Sequence, residues 1–181
     1  AGRGPLAGPV VAAAVILPED FSPDGLDDSK KVSPASREEL FQKIMAAATV
    51  GVGVVSAREI DRLNIFQATF AAMNLAVNDL SRKPDCLLVD GPHKISGLTL
   101  PQWPLIKGDG LSFSIAAASI IAKVTRDRIM LDLARNFPDY KFEENKGYGT
   151  KDHMEVIFTR GLTPEHRKSF CVKKQLKIFD D

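Results

Sequence analysis

The run PVVAAAVIL at residues 9–17, closed by Pro18, Glu19 and Asp20, constrains this chain more than any other stretch. Its Val and Ala side chains offer no polar face. A strand formed there needs cover on both sides, the pattern of a sheet buried beneath helices. Nine apolar residues are too few for a membrane span, which takes about 20, and acids follow where a secretory signal needs small residues for cleavage. With 181 residues, 44% of them hydrophobic, the chain can bury one sizeable core, so one main domain is expected.

The rest of the chain alternates strand and helix signals. Ser33 caps a helix with Pro34 at its first position, and Leu40, Phe41, Ile44 and Met45 recur at helical spacing. Residues 49–56 alternate Val with Gly51 and Gly53 as a strand, weakened by those glycines. Residues 57–63 and 65–80 read as helices, the second with Phe66, Phe70, Met73 and Val77 on one face. Short strands follow at 86–90 and 104–106. A polar turn at 107–110 leads to a long Ala- and Ser-rich helix at 112–136, and a last helix at 150–158 stops before Gly161. This order predicts an α/β fold: a mixed central sheet flanked by helices.

Charge and cysteine content exclude several classes. The formal net charge of +1 announces no nucleic-acid binder, but Arg160, Arg167, Lys168, Lys173, Lys174 and Lys177 face only Glu165 near the C-terminus, a basic stretch suited to phosphates. Two cysteines, Cys86 and Cys171, make neither a disulfide framework nor a zinc site. Cys86 is expected to pack as a small hydrophobe, and a reducing cytoplasm is the expected compartment.

Asp90 ends the run Leu87, Leu88, Val89, and Asp109 sits between two glycines after the next short strand. Ligands of α/β sheets bind beyond the carboxyl ends of strands, so the two acids can meet at one edge as hard oxygen ligands for Mg²⁺ or Mn²⁺. The alternative for Asp90 is an aspartate that merely opens a turn. Asp127, inside the long helix beside arginines, reads as an ion-pair partner and stays outside the metal set. Gly2, Arg3 and Gly4 form a compact loop whose amides and guanidinium suit a phosphate, without being a nucleotide-cofactor motif. Asp28, Ser29, Lys30 and Lys31 make a second polar cluster suited to phosphates, or else a solvated loop, the usual default. Tyr148, between Gly147 and Gly149 ahead of a helix start, can stack on a sugar or base, or else cover the core. His166, near a helix start, can carry protons or serve as a structural histidine, the usual role of a lone histidine there.

Six blocks in order, GRGPLAGPVVAAAVIL from Gly2, DDSKK at 27–31, LLVDG at 87–91, IKGD at 106–109, SIAAASIIAKVTRD at 114–127 and NKGYGTKDH at 145–153, resemble bacterial type 2 ribonuclease H over nearly the whole chain. The resemblance implies a ribonuclease H-like domain at residues 1–140 and a smaller helical substrate-binding region at 141–181. It implies a monomeric Mg²⁺- or Mn²⁺-dependent endonuclease acting on RNA/DNA hybrids and on duplex DNA with an embedded ribonucleotide, cut on its 5′ side, with no membrane partner. Asp90 and Asp109 are then catalytic metal ligands. Gly2, Arg3 and Gly4 contact the 2′-hydroxyl and phosphates, Tyr148 packs on the junction sugar, and Ser29, Lys30 and Lys31 bind phosphates.

The family's metal site has four carboxylates, and its other two form an Asp-Glu pair directly before Ala-Gly-Arg-Gly-Pro, where this sequence begins. The expectation is that the start of the first strand, with that pair, is missing, so that the function belongs to the parent enzyme. The rival is a hybrid-binding module without catalysis, which would leave Asp90 and Asp109 without a task.

Overall fold

A computed structural model describes residues 1–26 and 32–171. The elements run β1 (Val10–Ile16), α1 (Pro34–Ala47), β2 (Thr49–Val55), α2 (Ala57–Leu63), α3 (Ile65–Asn78), β3 (Leu87–Asp90) and β4 (Gln102–Leu105). A 3₁₀ turn (Gly108–Gly110), α4 (Phe113–Asn136), a second 3₁₀ turn (Pro138–Tyr140), α5 (Phe142–Asn145) and α6 (Lys151–Arg160) follow. The α/β class read from the sequence holds. The described strands pair as β1 with β2 and β3 with β4.

The chain packs as two compact units, each discontinuous in sequence. The first comprises Ala1, Val11–Val54 and Phe70–Val124. Its largest buried cluster joins Leu40, Phe41 and Ile44 of α1 to Ala117, Ile120, Ile121 and Val124 of α4, with Ala13, Val15, Val50 and Val52 packed against them. A smaller cluster of Leu87, Val89 and Ile95 lies against Phe70, Met73 and Val77 of α3. The second unit comprises Gly2–Val10, Val55–Thr69 and the chain from Thr125 onward. There Leu6, Ala7, Met130, Ala134, Tyr140, Phe142, Ile157 and Cys171 form the core.

Local chemistry explains the element ends. Ser33 Oγ accepts from the Ser36 amide and Pro34 opens α1. Ser56 and Glu59 cap α2 reciprocally, each side chain accepting from the other's backbone. Thr150 Oγ1 accepts from the His153 amide to start α6, and Gly161 ends it.

Several expectations change. In α3 the fully buried stripe is Ala68, Ala72 and Ala76, whereas Phe66 is exposed. The glycines of β2 supply the reason: a Cβ on Gly53 would lie closer than 3.0 Å to Ala72 O and Ala76 N, and one on Gly51 closer than 3.0 Å to Ala76 O. Helix and strand meet backbone to backbone, so small residues hold the contact and the larger side chains of α3 turn aside. Met45 is likewise exposed, and Cys86, placed before β3 rather than in it, is exposed where core packing is expected from sequence.

β3 and β4 run parallel, with Leu87 opposite Gln102 and Asp90 opposite Leu105. β4 starts earlier than its apolar residues suggest because Gln102, buried, acts as a backbone surrogate: its side chain accepts from the Ile95 amide and donates to Ile95 O. The opposite face of the pair carries Leu88 beside Trp103, both about half exposed.

The contact between β2 and α3 gives a direct test. Gly53→Ala is expected to lower stability by about 2–3 kcal/mol through overpacking, read as a fall in the urea midpoint at unchanged slope. A midpoint within error of the parent would show that α3 can move off the strand freely.

Candidate functional site

Asp90 ends β3, and the 3₁₀ turn that carries Asp109 begins three residues after β4. Because β3 and β4 are parallel, their carboxyl ends lie at the same edge, and the turn folds back against it: the Gly108 amide donates to Asp90 Oδ1 at 3.1 Å. The Gly91 amide donates to Leu105 O at 2.9 Å, tying the chain after Asp90 to the end of β4. Lys107 takes a left-handed conformation to make the turn. The alternative of Asp90 as a bare turn-former is thus partly true, since its carboxylate does accept a backbone amide. That bond uses one of several lone pairs and leaves the exposed carboxylate with acceptor capacity.

Two carboxylates at the end of a parallel strand pair suit a small, hard divalent cation, which takes one or two protein carboxylates and completes its shell with water and phosphate. No group of three or more His, Cys, Asp or Glu able to hold a metal is assembled among the described residues.

The second unit holds the other candidates. Tyr148 is half exposed, and its Cε1 lies 3.7 Å from where a Cβ on Gly4 would stand, so the ring and the glycine loop are neighbours. Leu6 and Ala7 both donate to Gly147 O, at 2.8 and 3.3 Å, joining the loop to the segment that carries the tyrosine. Of the predicted contact residues, Gly2, Arg3, Gly4 and Tyr148 therefore gather in one place, and Arg3 and Gly4 are exposed. Ser29, Lys30 and Lys31 lie outside the described residues, as do Lys173, Lys174 and Lys177.

The basic stretch needs correction at Arg167. Arg167 is fully buried and donates to the carbonyls of Gly2, Arg3, Gly8 and Pro9 instead of facing solvent. Burial, followed by the like charge of Arg126, pushes its guanidinium down to about 9. Arg160 pairs with Asp139 on the surface.

His166 is structural, as read from sequence, but not alone. Its Nε2 lies 3.0 Å from His153 Nε2 in a buried pair lined by Tyr140 and Phe142. The partners assign the protons. His153 Nδ1 must donate to Tyr148 O at 2.8 Å, and His166 Nδ1 must accept from the Thr163 amide at 3.0 Å. One proton therefore remains for the two facing nitrogens, carried by His166 and donated to His153. The spacing of 13 residues gave sequence reasoning no periodicity to join these rings. The pair anchors the Tyr148 carbonyl, so it belongs to the framework of this site.

Burial and then the neighbouring His153 hold the His166 imidazole down at about 4, against an ordinary 6.5. As pH falls the unfolded chain takes up this proton first. The pair's contribution to stability is therefore complete above about pH 6.5 and is lost as pH drops through 4, a total near 3 kcal/mol. Unfolding free energies at pH 7 and pH 4 should differ by about that much less in His166→Gln than in the parent. An equal pH dependence in both proteins would remove the pair from the account.

The ribonuclease HII family profile matches residues 1–177. Ribonuclease HII of Geobacillus kaustophilus (strain HTA426) is 58% identical over 179 residues, which make up 98% of this chain and 68% of that protein. Ribonuclease HII of Geobacillus sp. (strain WCH70) is 55% identical over 177 residues, covering 97% of this chain and 63% of the relative. The chain thus spans roughly two thirds of the length of these relatives. Among solved structures, ribonuclease H2 from Pyrococcus horikoshii OT3 superposes with a TM-score of 0.75 at 26% identity, covering 100% of this chain and 96% of the other. Bst-RNase HIII in complex with Mn²⁺ shares the fold with a TM-score of 0.70 at 20% identity, covering 98% and 67%. With its ribonuclease H-like α/β fold and this likeness along its length, the chain belongs to the ribonuclease HII family, a family of endoribonucleases.

Proposed function

We propose that this chain belongs to a metal-dependent endonuclease that hydrolyses the RNA strand of RNA/DNA hybrids and cuts duplex DNA on the 5′ side of a single embedded ribonucleotide. The observation that carries the reading is the bond from the Gly108 amide to Asp90, which sets the turn bearing Asp109 beside the carboxyl end of β3, in a chain 58% identical to a ribonuclease HII. The complex of Bst-RNase HIII with Mn²⁺ supports a divalent ion on this fold.

Asp90 and Asp109 would hold Mg²⁺ or Mn²⁺ and keep it at the edge of the sheet. When bound, such ions lower the pKa of attacking water and stabilise charge on the departing 3′ oxygen. The Gly108 amide orients Asp90 and leaves its other lone pairs outward. Gly2, Arg3 and Gly4 present backbone amides and a guanidinium to the 2′-hydroxyl and phosphates, the groups that separate RNA from DNA at a given position. Tyr148, held beside Gly4, packs on the sugar at the junction. Ser29, Lys30 and Lys31 bind phosphates with little sequence preference.

The enzyme acts as a monomer on nucleic acid in a reducing cytoplasm, a placement supported by a sequence whose two cysteines are too few for a disulfide framework. No helix among the described residues is long and apolar enough to cross a membrane.

The test is incision of a duplex DNA containing one ribonucleotide, in Mg²⁺ or Mn²⁺, by this chain extended with Asp-Glu ahead of Ala1. Cutting 5′ to the ribonucleotide is expected, with an all-DNA duplex left intact. Asp90→Asn and Asp109→Asn should each reduce the rate by more than the roughly 100-fold that marks loss of an outer-shell partner. A folded, extended chain that binds the duplex and never cuts it would replace the nuclease with a hybrid-binding module.

A further inference from the structure

Arg126 and Arg167 are 1% and 0% exposed, and both guanidiniums point into the loop at residues 2–9. Arg126 donates from Nε to Pro9 O at 2.9 Å and from Nη2 to Ala7 O at 3.2 Å. Arg167 donates from Nη1 to Arg3 O at 3.1 Å and from Nη2 to Gly2 O at 2.7 Å. Its Nε and Nη2 also reach Gly8 O, at 3.0 and 2.8 Å, and Nη2 reaches Pro9 O at 3.1 Å. Space as well as charge is matched, because a Cβ on Gly2 would stand closer than 3.0 Å to Arg126 Nε.

Burying two like charges is expensive, and apolar residues of similar volume usually serve stability as well or better. The arrangement is explained by what it does to the loop. In a planar trans peptide the C=O of one residue and the N–H of the next point in opposite directions. With Gly2 O and Arg3 O drawn inward to Arg167, the amides of Arg3 and Gly4 are directed away from it. Among the described residues neither amide has an acceptor.

We infer that Arg167, supported by Arg126, is a positioning residue that pins the carbonyls of the Gly-Arg-Gly loop and thereby aims the Arg3 and Gly4 amides at the ribonucleotide. The inference rests on the substrate-binding reading of that loop. A lysine at position 167 keeps the charge and loses the fork, since one ammonium cannot reach four carbonyls spread along the loop.

The experiment uses the full-length protein and two readouts. Backbone ¹⁵N relaxation at Arg3 and Gly4 should give order parameters near 0.85 in the parent and below about 0.6 in Arg167→Lys. Binding to a duplex with one ribonucleotide, relative to an all-DNA duplex, should fall about tenfold in Arg167→Lys, the worth of one well-aligned hydrogen bond, while all-DNA binding stays the same. A merely structural role would move stability and leave that ratio alone. If Arg167→Lys does not fold, Arg126→Lys, which removes two of the loop bonds, takes its place in both measurements.

Mobile amides in the parent overturn the inference, as does a folded variant that keeps both loop order and binding ratio. An ordered parent loop that loosens in the variant, in a protein indifferent to the ribonucleotide, upholds the pinning and refutes the substrate assigned to the loop.

Discussion

Residues 5–10 are buried without regular secondary structure over most of their length, and a buried peptide group must find a partner. That demand organises the second unit. Gly147 O takes the amides of Leu6 and Ala7, Glu165 O takes that of Gly8, and the Arg167 amide donates to Leu6 O. The remaining inward carbonyls go to the two guanidiniums. The loop is thus held from α4, from the turn before α6 and from the segment around Arg167, three places far apart in sequence.

Much of the fold could be read from local chemistry. The cap at Ser33, the stop at Gly161 and the apolar run of β1 are short-range signals, and each element they announced is present within a few residues. What escaped reading was long-range. The glycines of β2 looked like defects in a strand and are instead the seat for α3. Gln102 lies outside the strand read at 104–106 and is a buried surrogate for backbone. α5, one turn long, has too few residues for any periodicity to show.

The site divides in the same way. The placement of Asp90 at the end of a strand and of Asp109 in the turn after the next was legible because a strand followed by an acid is a local pattern; that the two strands run parallel was not. Tyr148 and the glycine loop were legible as separate motifs, and their adjacency was not. The two histidines and the two buried arginines were hidden because their roles exist only through partners: a carbonyl more than 150 residues away for Arg167, or a second imidazole for His166. Arg167 sat in a basic stretch and invited assignment to the surface, whereas burial of its aliphatic stem and satisfaction of its whole fork decide otherwise.

The half-exposed Trp103 has a practical meaning. It is the chain's one tryptophan, and it stands beside Leu88 on the open face of β3 and β4, with Asp90 two residues further along the paired strand. Its indole already meets water in the folded protein, so its emission is a poor gauge of whether the core has come apart. The same ring is an intrinsic optical probe of the strand pair that carries the acids, responding to whatever settles on that face.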